Sequence, residues 1–337
     1  MFSQPFVHVL SKKKEAMKTI GIICGGFSSE WEISMKSALT IQDNFPKEYR
    51  VFRILLNHDG WFALNNEERV PLDLNTMTFQ LNGEVKLDAA IVFIHGNPGE
   101  NGKVQAFLDM MNIPCINSGP LASALSFDKW YCNQFLHNFG FKIAKSELLT
   151  DVNQMDAEAL VQSLGLPMFI KPADSGSSYG ISKAKSIEDI RPSLEKAFAE
   201  GRTVVVESFL NGTEVTCGVY RRENGVYALP LTEIASENEF FDYEAKYLGK
   251  SKEITPARVS DEVRQVVQSQ AKRIYDLLQL KSVARIDFMV VNNEPHVIEV
   301  NTTPGFSGAS IVPQMIACDG NTITEFWREI LAVEWPQ

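Results

Sequence analysis

Two apolar segments near the end of the chain are separated by a short polar turn, in the sequence VARIDFMVVNNEPHVIEVN. Asp287 precedes the turn, and the segment after it ends in Glu299 and Asn301. Because side chains alternate along a strand, Glu299 and Asn301 point to the same side. A hairpin through the turn places Asp287 across from them. The pattern predicts a sheet with polar groups gathered at one end.

These polar groups are candidate metal ligands. Three oxygen donors on one face suit Mg²⁺, which prefers hard donors and often shares its coordination shell with phosphates. The alternative is an Asp and a Glu on separate strand ends, each solvated. Arg285 lies two residues before Asp287 and therefore on the same face of the strand, which favours the metal site.

Bulk composition excludes some classes of protein. The 337 residues indicate two or three domains, and the net charge of −10 argues against a nucleic-acid partner. No apolar stretch approaches the roughly 20 residues that a membrane span needs. The five scattered cysteines form no C-x-x-C pair and predict free thiols in a reducing cytoplasm. We expect residues 1–17 to be a disordered extension.

Residues 18–119 alternate between strand and helix patterns. TIGIIC, YRVFRILLN, AAIVFIHG and IPCINSG are predicted strands, with a helix after the first and another at GKVQAFLDMMN. This order predicts a parallel, doubly wound sheet. Ser29 and Glu32 form a plausible capping box for the first helix.

The remainder of the chain divides into two further predicted domains. Residues 120–210 begin with a helix at SFDKWYCNQFLHNFG, stopped by Gly140, and continue as a small α+β lobe. Residues 211–337 are rich in strands around one amphipathic helix. Its predicted core stripe consists of Val263, Val266, Val267, Ala271, Ile274 and Leu277.

The segment FIKPADSGSSYGISK is a candidate phosphate-binding loop. A buried strand ends at Lys171, and Gly176, Ser177, Ser178 and Gly180 then allow the backbone to approach an anion. A plain hairpin turn would have a similar composition. The chain has neither a Walker A loop nor a G-x-G-x-x-G motif, so a nucleotide would bind through another architecture.

Taken together, these segments resemble the D-alanine–D-alanine ligases of the ATP-grasp superfamily. The similar stretches follow the family's order and cover about residues 18 to 330: GIICGGFSSEWEISMKSA, IHGNPGENGKVQAFLDMMNIPCINSG, SFDKW, MFIKPADSGSSYGISK, VVVESFLNGTEV, EFFDYEAKY, VARIDFMV and IEVNTTPGFSGASIVPQM. The resemblance implies a three-domain ATP-grasp fold. An N-terminal doubly wound parallel-sheet domain is followed by two α+β lobes that enclose ATP.

The resemblance also implies the activity. Family members join two D-alanines with ATP through an acyl phosphate, for peptidoglycan precursor synthesis in the cytoplasm. It implies two Mg²⁺ ions, for which Mn²⁺ can substitute, and a homodimer. A loop at 236–252 is expected to close over the site and exclude water.

The resemblance assigns roles to individual residues. The expected catalytic residues are Glu30, Ser177, Tyr247, Arg285 and Gly305. The expected substrate-binding residues are His95, Ser310 and Ile311. The expected nucleotide-binding residues are Lys129, Lys171, Ser178, Glu207, Ser208, Phe209, Leu210, Glu214 and Lys246. The expected metal ligands are Asp287, Glu299 and Asn301.

Several of these residues have an alternative interpretation. Without the family pattern, Glu30 would be a helix N-terminal charge and His95 a structural histidine. Tyr247 favours D-alanine as the second substrate, because members that use D-lactate carry Phe there; D-lactate and D-serine are the alternatives. A non-catalytic nucleotide-binding scaffold is a further possibility. The chain departs from the usual family pattern at Trp31, Asn101 and Ser208.

Overall fold

The structure is a computed structural model that describes residues 17–66, 68–176, 179–236 and 251–336. Four predicted site residues lie outside these ranges: Ser177, Ser178, Lys246 and Tyr247. Residues 1–16 of the predicted extension and most of the predicted closing loop also lie outside them. Among the described residues, every helix lacks the length and hydropathy that a transmembrane span requires.

The first part of the chain folds around a five-stranded sheet. Its elements are β1 Thr19–Gly25, α1 Trp31–Asn44, β2 Arg50–Asn57, β3 Gly60–Asn65, β4 Glu68–Pro71, β5 Thr78–Gln80, β6 Glu84–Lys86, β7 Ala89–Val92 and α2 Lys103–Met110. The sheet order is β4-β3-β2-β1-β7, and β1 pairs in parallel with β2 and β7. The predicted parallel pairing is confirmed for these inner strands. Hairpins add β3 and β4 as antiparallel strands at one edge.

Two local predictions in this part are wrong. The N-cap of α1 is Glu30 and no side chain caps the helix, so the predicted capping box does not form. The nearby hydroxyl of Ser28 instead accepts from the Glu30 N–H at 3.3 Å and donates to the His95 carbonyl at 2.7 Å. The predicted strand IPCINSG is reduced to an isolated bridge. There the Asn117 side chain accepts from the Val92 N–H at 2.6 Å, where a main-chain partner was expected.

The second part is built on a four-stranded antiparallel sheet of order β10-β9-β11-β8. Its elements are α3 Pro120–Phe127, α4 Lys129–Asn138, β8 Ser146–Leu149, a 3₁₀ turn at Val152–Gln154, α5 Ala157–Leu164, β9 Met168–Pro172, β10 Ser182–Ala184, α6 Ile190–Phe198 and β11 Val204–Ser208. The predicted helix at 126–140 is divided, because Asp128 is extended and its carboxylate caps α4 at the Tyr131 N–H. Gly140 follows α4 with φ +84°, as its predicted role as a helix stop requires.

The third part carries the largest sheet of the described chain. Its elements are β12 Thr213–Arg222, β13 Gly225–Ala228, β14 Thr232–Ser236, β15 Ser251–Ile254, α7 Asp261–Leu277, β16 Val283–Val291, β17 Glu294–Asn301, α8 Ile311–Cys318 and α9 Ile323–Glu334. The strand order is β15-β14-β12-β16-β17, with β13 also paired to β12. The predicted hairpin of β16 and β17 is confirmed.

The buried face of α7 differs in part from the predicted stripe. Val263, Val267, Ala271 and Ile274 are buried as predicted, whereas the Val266 side chain is 44% exposed and Leu277 is only partly buried. Tyr275 is also buried in the core, although it was not part of the predicted stripe. Its hydroxyl donates to the Ser282 carbonyl at 2.8 Å, so that the ring can be buried without losing a hydrogen bond.

One hydrophobic cluster joins the first part of the chain to its last helices. Phe93, which follows β7, packs against Phe306 with ring centroids 5.8 Å apart. The ring centroid of Trp327, on α9, lies 5.6 Å from that of Phe45, the residue that follows α1. These side chains are buried together with the apolar face of β1. The loop after β17 is therefore anchored in the same core as the first sheet.

Replacing Ile274 with Ala should lower the free energy of unfolding by about 2–5 kcal/mol, because the substitution leaves a cavity in a fully buried site. Replacing Val266 with Ala on the same helix should change it by less than about 0.5 kcal/mol. Urea unfolding followed by circular dichroism measures both values. Equal losses from the two variants would contradict the burial assigned to α7.

Candidate active site

A cavity of about 770 Å³ lies where the three parts of the chain meet. Every predicted site residue that the structure describes lines this cavity: Glu30, His95, Lys129, Lys171, Glu207, Ser208, Phe209, Leu210, Glu214, Arg285, Asp287, Glu299, Asn301, Gly305, Ser310 and Ile311. They come from distant parts of the chain. The fold thus brings the candidate residues together in one cavity.

The hairpin of β16 and β17 places the predicted oxygen donors side by side. Asp287 lies opposite Glu299, and Arg285 lies opposite Asn301. The register shifts next to this point, where Phe288 pairs with Val297, so Ile298 is the extra residue of a β-bulge. Without the bulge, Glu299 would share the core-facing side of Val297. With it, Val300 faces the core and Glu299 points into the cavity.

Arg285 and Asp287 form an ion pair in the cavity wall. The guanidinium donates to both carboxylate oxygens, at 2.9 and 2.8 Å. Burial acts to lower the pKa of Arg285, but the adjacent Asp287 carboxylate raises it above its usual value. Thr216 and Asn301 also donate to Asp287. The Asp287 carboxylate is therefore held in a fixed orientation.

The same wall offers a donor set suited to a divalent cation. Two carboxylates and one amide oxygen can converge from Asp287, Glu299 and Asn301, which is the hard-oxygen chemistry that Mg²⁺ selects. These groups contact protein cations in the structure: Arg285 pairs with Asp287, and the Lys129 ammonium lies 3.6 Å from Glu299. The residues present therefore fit a magnesium site beside groups that can bind phosphate.

Two buried lysines face the cavity. Lys129 is the first residue of α4; its ammonium donates to the Ser175 carbonyl at 2.6 Å, and its backbone N–H to the Ala173 carbonyl at 2.9 Å. The Lys171 ammonium on β9 lies 2.7 Å from the Glu207 carboxylate on the neighbouring strand β11. Two fixed positive charges in a cavity wall can bind a polyphosphate.

The loop after β9 approaches the first part of the chain closely. A Cβ added at Gly176 would lie 2.4 Å from Oε2 of Glu30, so only glycine fits here without rearrangement. Gly180 has φ +74°, in the left-handed region that favours glycine. The sequence indicated that the small residues would admit an anion. In the structure, the carboxylate of Glu30 is the anionic group next to Gly176.

His95 is a buried residue of the cavity lining. Its Nε2 lies 3.5 Å from the Ser37 hydroxyl, which also accepts from the Phe306 N–H at 3.1 Å. Burial lowers the pKa of His95, while the charge of Glu30 acts in the opposite direction. Through Ser37, the imidazole is connected to the backbone of the turn that carries Gly305.

The N-terminus of α8 lies close to the same turn. Ser310 is the N-cap of this helix, and its hydroxyl is 2.8 Å from the Ser307 hydroxyl and accepts from the Ser307 N–H at 3.0 Å. A Cβ added at Gly305 would lie 3.1 Å from the Ser310 hydroxyl, so the two backbone segments are adjacent. A helix N-terminus with small neighbours is suited to a carboxylate.

Another part of the cavity wall carries aromatic side chains. Phe209 follows β11, and its ring centroid lies 6.0 Å from that of Phe169. The Lys183 ammonium lies over the Phe209 ring, 4.1 Å from the centroid. The Ser208 N–H donates to the Lys145 carbonyl at 2.8 Å. Glu214 on β12 lies across from Met289 on β16, which also lines the cavity. A flat base next to a polar sugar would fit this arrangement.

Sequence reasoning missed Glu100. Its Oε2 accepts from the Gly96 N–H at 2.7 Å, and its N–H donates to the Gly96 carbonyl at 2.8 Å. Burial, followed by the nearby charge of Glu30, raises the pKa of Glu100 to about 8. A glutamate between the glycines of GNPGENG was the available signal. Asn101, noted as a departure from the family, instead donates to Asn97 within the loop.

Replacing Lys171 with Met should lower the free energy of unfolding by about 3–5 kcal/mol, because Glu207 would remain buried without its counter-charge. Replacing both Lys171 and Glu207 with apolar residues should restore much of this loss. The exposed pair of Arg191 and Glu195 provides the control, since R191M should cost less than about 1 kcal/mol. Thermal and urea unfolding measure these differences; a double variant as unstable as K171M would contradict the expectation.

Family models and relatives match most of the chain. The D-ala D-ala ligase N-terminus family model matches residues 19–118, and the corresponding C-terminus model matches residues 135–332. The D-alanine–D-alanine ligase of Parabacteroides distasonis is 43% identical over 321 residues, which cover 94% of this chain and 97% of the relative.

Solved structures show the same fold. The VanG D-Ala:D-Ser ligase from Enterococcus faecalis has a TM-score of 0.85 at 28% identity, covering 95% of this chain and 100% of that one. The D-alanine–D-alanine ligase from Bacillus anthracis complexed with ATP has a TM-score of 0.75 at 25% identity, covering 94% and 97%. With its three-part ATP-grasp fold and these matches over most of its length, the chain belongs to the D-alanine–D-alanine ligase family.

Proposed function

We infer that the protein joins two D-alanine molecules into D-alanyl-D-alanine at the expense of ATP, for peptidoglycan precursor synthesis. The observation that carries this function is that Arg285, Lys129 and Lys171 line the same cavity as the oxygen donors of the β16–β17 hairpin. The family membership and the relatives at 40–43% identity support the same reaction. A scaffold without activity would have no need for this set of charges.

The reaction has two steps. The carboxylate of the first D-alanine attacks the γ-phosphorus of ATP, which gives an acyl phosphate and ADP. The second D-alanine then loses a proton from its ammonium group, its neutral amino group attacks the acyl carbon, and the tetrahedral species loses a second proton and releases phosphate to leave the peptide bond. Positioning and neutralisation of negative charge dominate such phosphoryl transfers. Lys129 and Lys171 bind the phosphates, and Arg285 stabilises the charge that develops on the transferring group.

Asp287, Glu299 and Asn301 would hold two Mg²⁺ ions. When bound, the ions supply positive charge that offsets the charge of the phosphates. The protein contributes the fixed orientation of Asp287, which comes from its contacts with Arg285 and Thr216. Mn²⁺ has similar ligand preferences and can substitute.

The two amino acids are assigned to the end of the cavity near Phe306. Glu30 binds the ammonium of the first D-alanine, and His95 lies beside it. The Gly305 N–H, with Arg285, stabilises the tetrahedral oxyanion. Ser310 and the backbone of Ile311 bind the carboxylate of the second D-alanine.

ATP is assigned to the aromatic part of the cavity wall. Glu207, Ser208, Phe209 and Leu210 line the adenine, where backbone groups can contact its edge, and Glu214 binds the ribose hydroxyls. Four residues outside the described ranges take their roles from the family resemblance alone. Ser178 and Lys246 contact the phosphates, and Ser177 links Tyr247 to Glu30.

The domain limits and the setting are part of the proposal. We place the domains at residues 18–119, 120–210 and 211–337, with residues 1–17 as an extension and the closing loop at 236–252. The family resemblance also supports a cytoplasmic homodimer.

With ATP, Mg²⁺ and D-alanine, the purified protein should release phosphate and form the dipeptide, and EDTA should abolish both. Replacing Asp287 with Asn should lower kcat by about 10²–10³-fold, because a metal ligand and the partner of Arg285 are lost. Replacing the exposed Asp109 with Asn is the matched control and should leave kcat unchanged. Phosphate release and product mass spectrometry report the result. Full activity of D287N would contradict the site.

The second substrate is tested by competition. With equal concentrations of D-alanine and D-lactate at neutral pH, we expect the dipeptide as the main product, because Tyr247 stands where D-lactate-using members carry Phe. Replacing Tyr247 with Phe should raise the fraction of D-alanyl-D-lactate. D-serine is included as a third competitor, since the VanG neighbour is named a D-Ala:D-Ser ligase. A depsipeptide as the main wild-type product would overturn the choice of D-alanine.

A further inference from the structure

Glu253 is a carboxylate in the cavity that the mechanism above does not use. It lies on the edge strand β15, where it pairs with Ile234 of β14. Ile234 in turn pairs with Glu214 of β12, and Glu214 with Met289 of β16. Directly paired residues share one face of a sheet. Glu253 is therefore on the same face as the nucleotide-binding and metal-binding candidates, at the far edge of the sheet.

A hydrogen bond connects Glu253 to the N-terminus of α8. The Gln314 side chain donates to Oε2 of Glu253 at 2.8 Å and to the carbonyl of Ala309 at 3.0 Å. Since one nitrogen contacts both oxygens, Glu253 is close to the Ala309–Ser310 segment. Ala309, Ser310 and Arg285 all line the same cavity as Glu253. The Glu253 carboxylate is thus close to Ser310, where the carboxylate of the second D-alanine is proposed to bind.

The charge of Glu253 is only partly balanced within the described ranges. The side chain is half-buried, and burial raises the pKa of Glu253, whereas Gln314 and the more distant Arg285 lower it. Gln314, its hydrogen-bond partner there, is a neutral amide. A cationic ligand at this position would replace lost hydration with an ion pair.

We propose that Glu253 binds the ammonium group of the second D-alanine and thereby selects an amino acid over a hydroxy acid at that position. An α-amino acid carries opposite charges on groups separated by one carbon. The N-terminus of α8 matches its carboxylate, and Glu253 matches its ammonium. D-lactate has a neutral hydroxyl in place of the ammonium and gains nothing from Glu253. This assignment rests on the proposed function.

The test compares E253Q with the wild-type enzyme. Glutamine keeps the size and the acceptor oxygen for Gln314 but removes the charge. We expect the kcat/KM for the second D-alanine to fall about tenfold or more, while the KM for ATP changes less than about twofold. The yield of D-alanyl-D-lactate relative to dipeptide should rise in an equimolar competition.

Controls separate this assignment from the proposed function and from misfolding. Replacing Glu262, an exposed residue of α7 outside the cavity lining, with Gln removes the same charge and should change neither readout. The thermal midpoint of E253Q should match that of the wild type. If the wild type forms no dipeptide, the proposed function fails. If the wild type is active and E253Q keeps its kcat/KM or lowers both products equally, only the assignment of Glu253 fails.

Discussion

A β-bulge at Ile298 determines which side chains of the last hairpin reach the cavity. Side chains alternate strictly in a regular strand, so Val297 and Glu299 would otherwise share one face. The extra residue reverses that alternation within two positions. The Asn133 side chain donates to the Ile298 carbonyl at 3.0 Å and fixes the distorted backbone. A single irregularity therefore separates the hydrophobic core from the polar wall.

The polar wall balances its charges internally. Arg285 contacts Asp287, Lys171 contacts Glu207, and Lys129 lies between Glu299 and the loop after β9. Such ion pairs hold charged side chains in fixed orientations where little water can reach them. Charges that are already oriented need little rearrangement when a substrate binds. Binding ATP and metal would exchange these internal partners for phosphate and cation. The wall is thus organised before its ligands bind.

The hairpin and its neighbours could be predicted because their signals are local. Alternating apolar residues, a tight turn and the positions of Asp287 and Glu299 all lie within one short segment. The Ile298 bulge could not be predicted, since the pairing partner on β16 determines it. The environment of Glu100 was also invisible in the sequence, because its neighbour Glu30 comes from another element. The exposure of Val266 depends in the same way on which surface α7 covers.

The anchoring of the last helices in the first core affects how the chain can fold during its synthesis. Phe45 and Phe93 emerge early from the ribosome, but Phe306 and Trp327, which cover them, are made near the end. The first sheet can form its hydrogen bonds early, but part of its apolar surface then stays exposed to solvent. Domains that are completed late in this way are open to association with other chains and to chaperones. Apolar surface that is made first is thus covered only by residues that are made last.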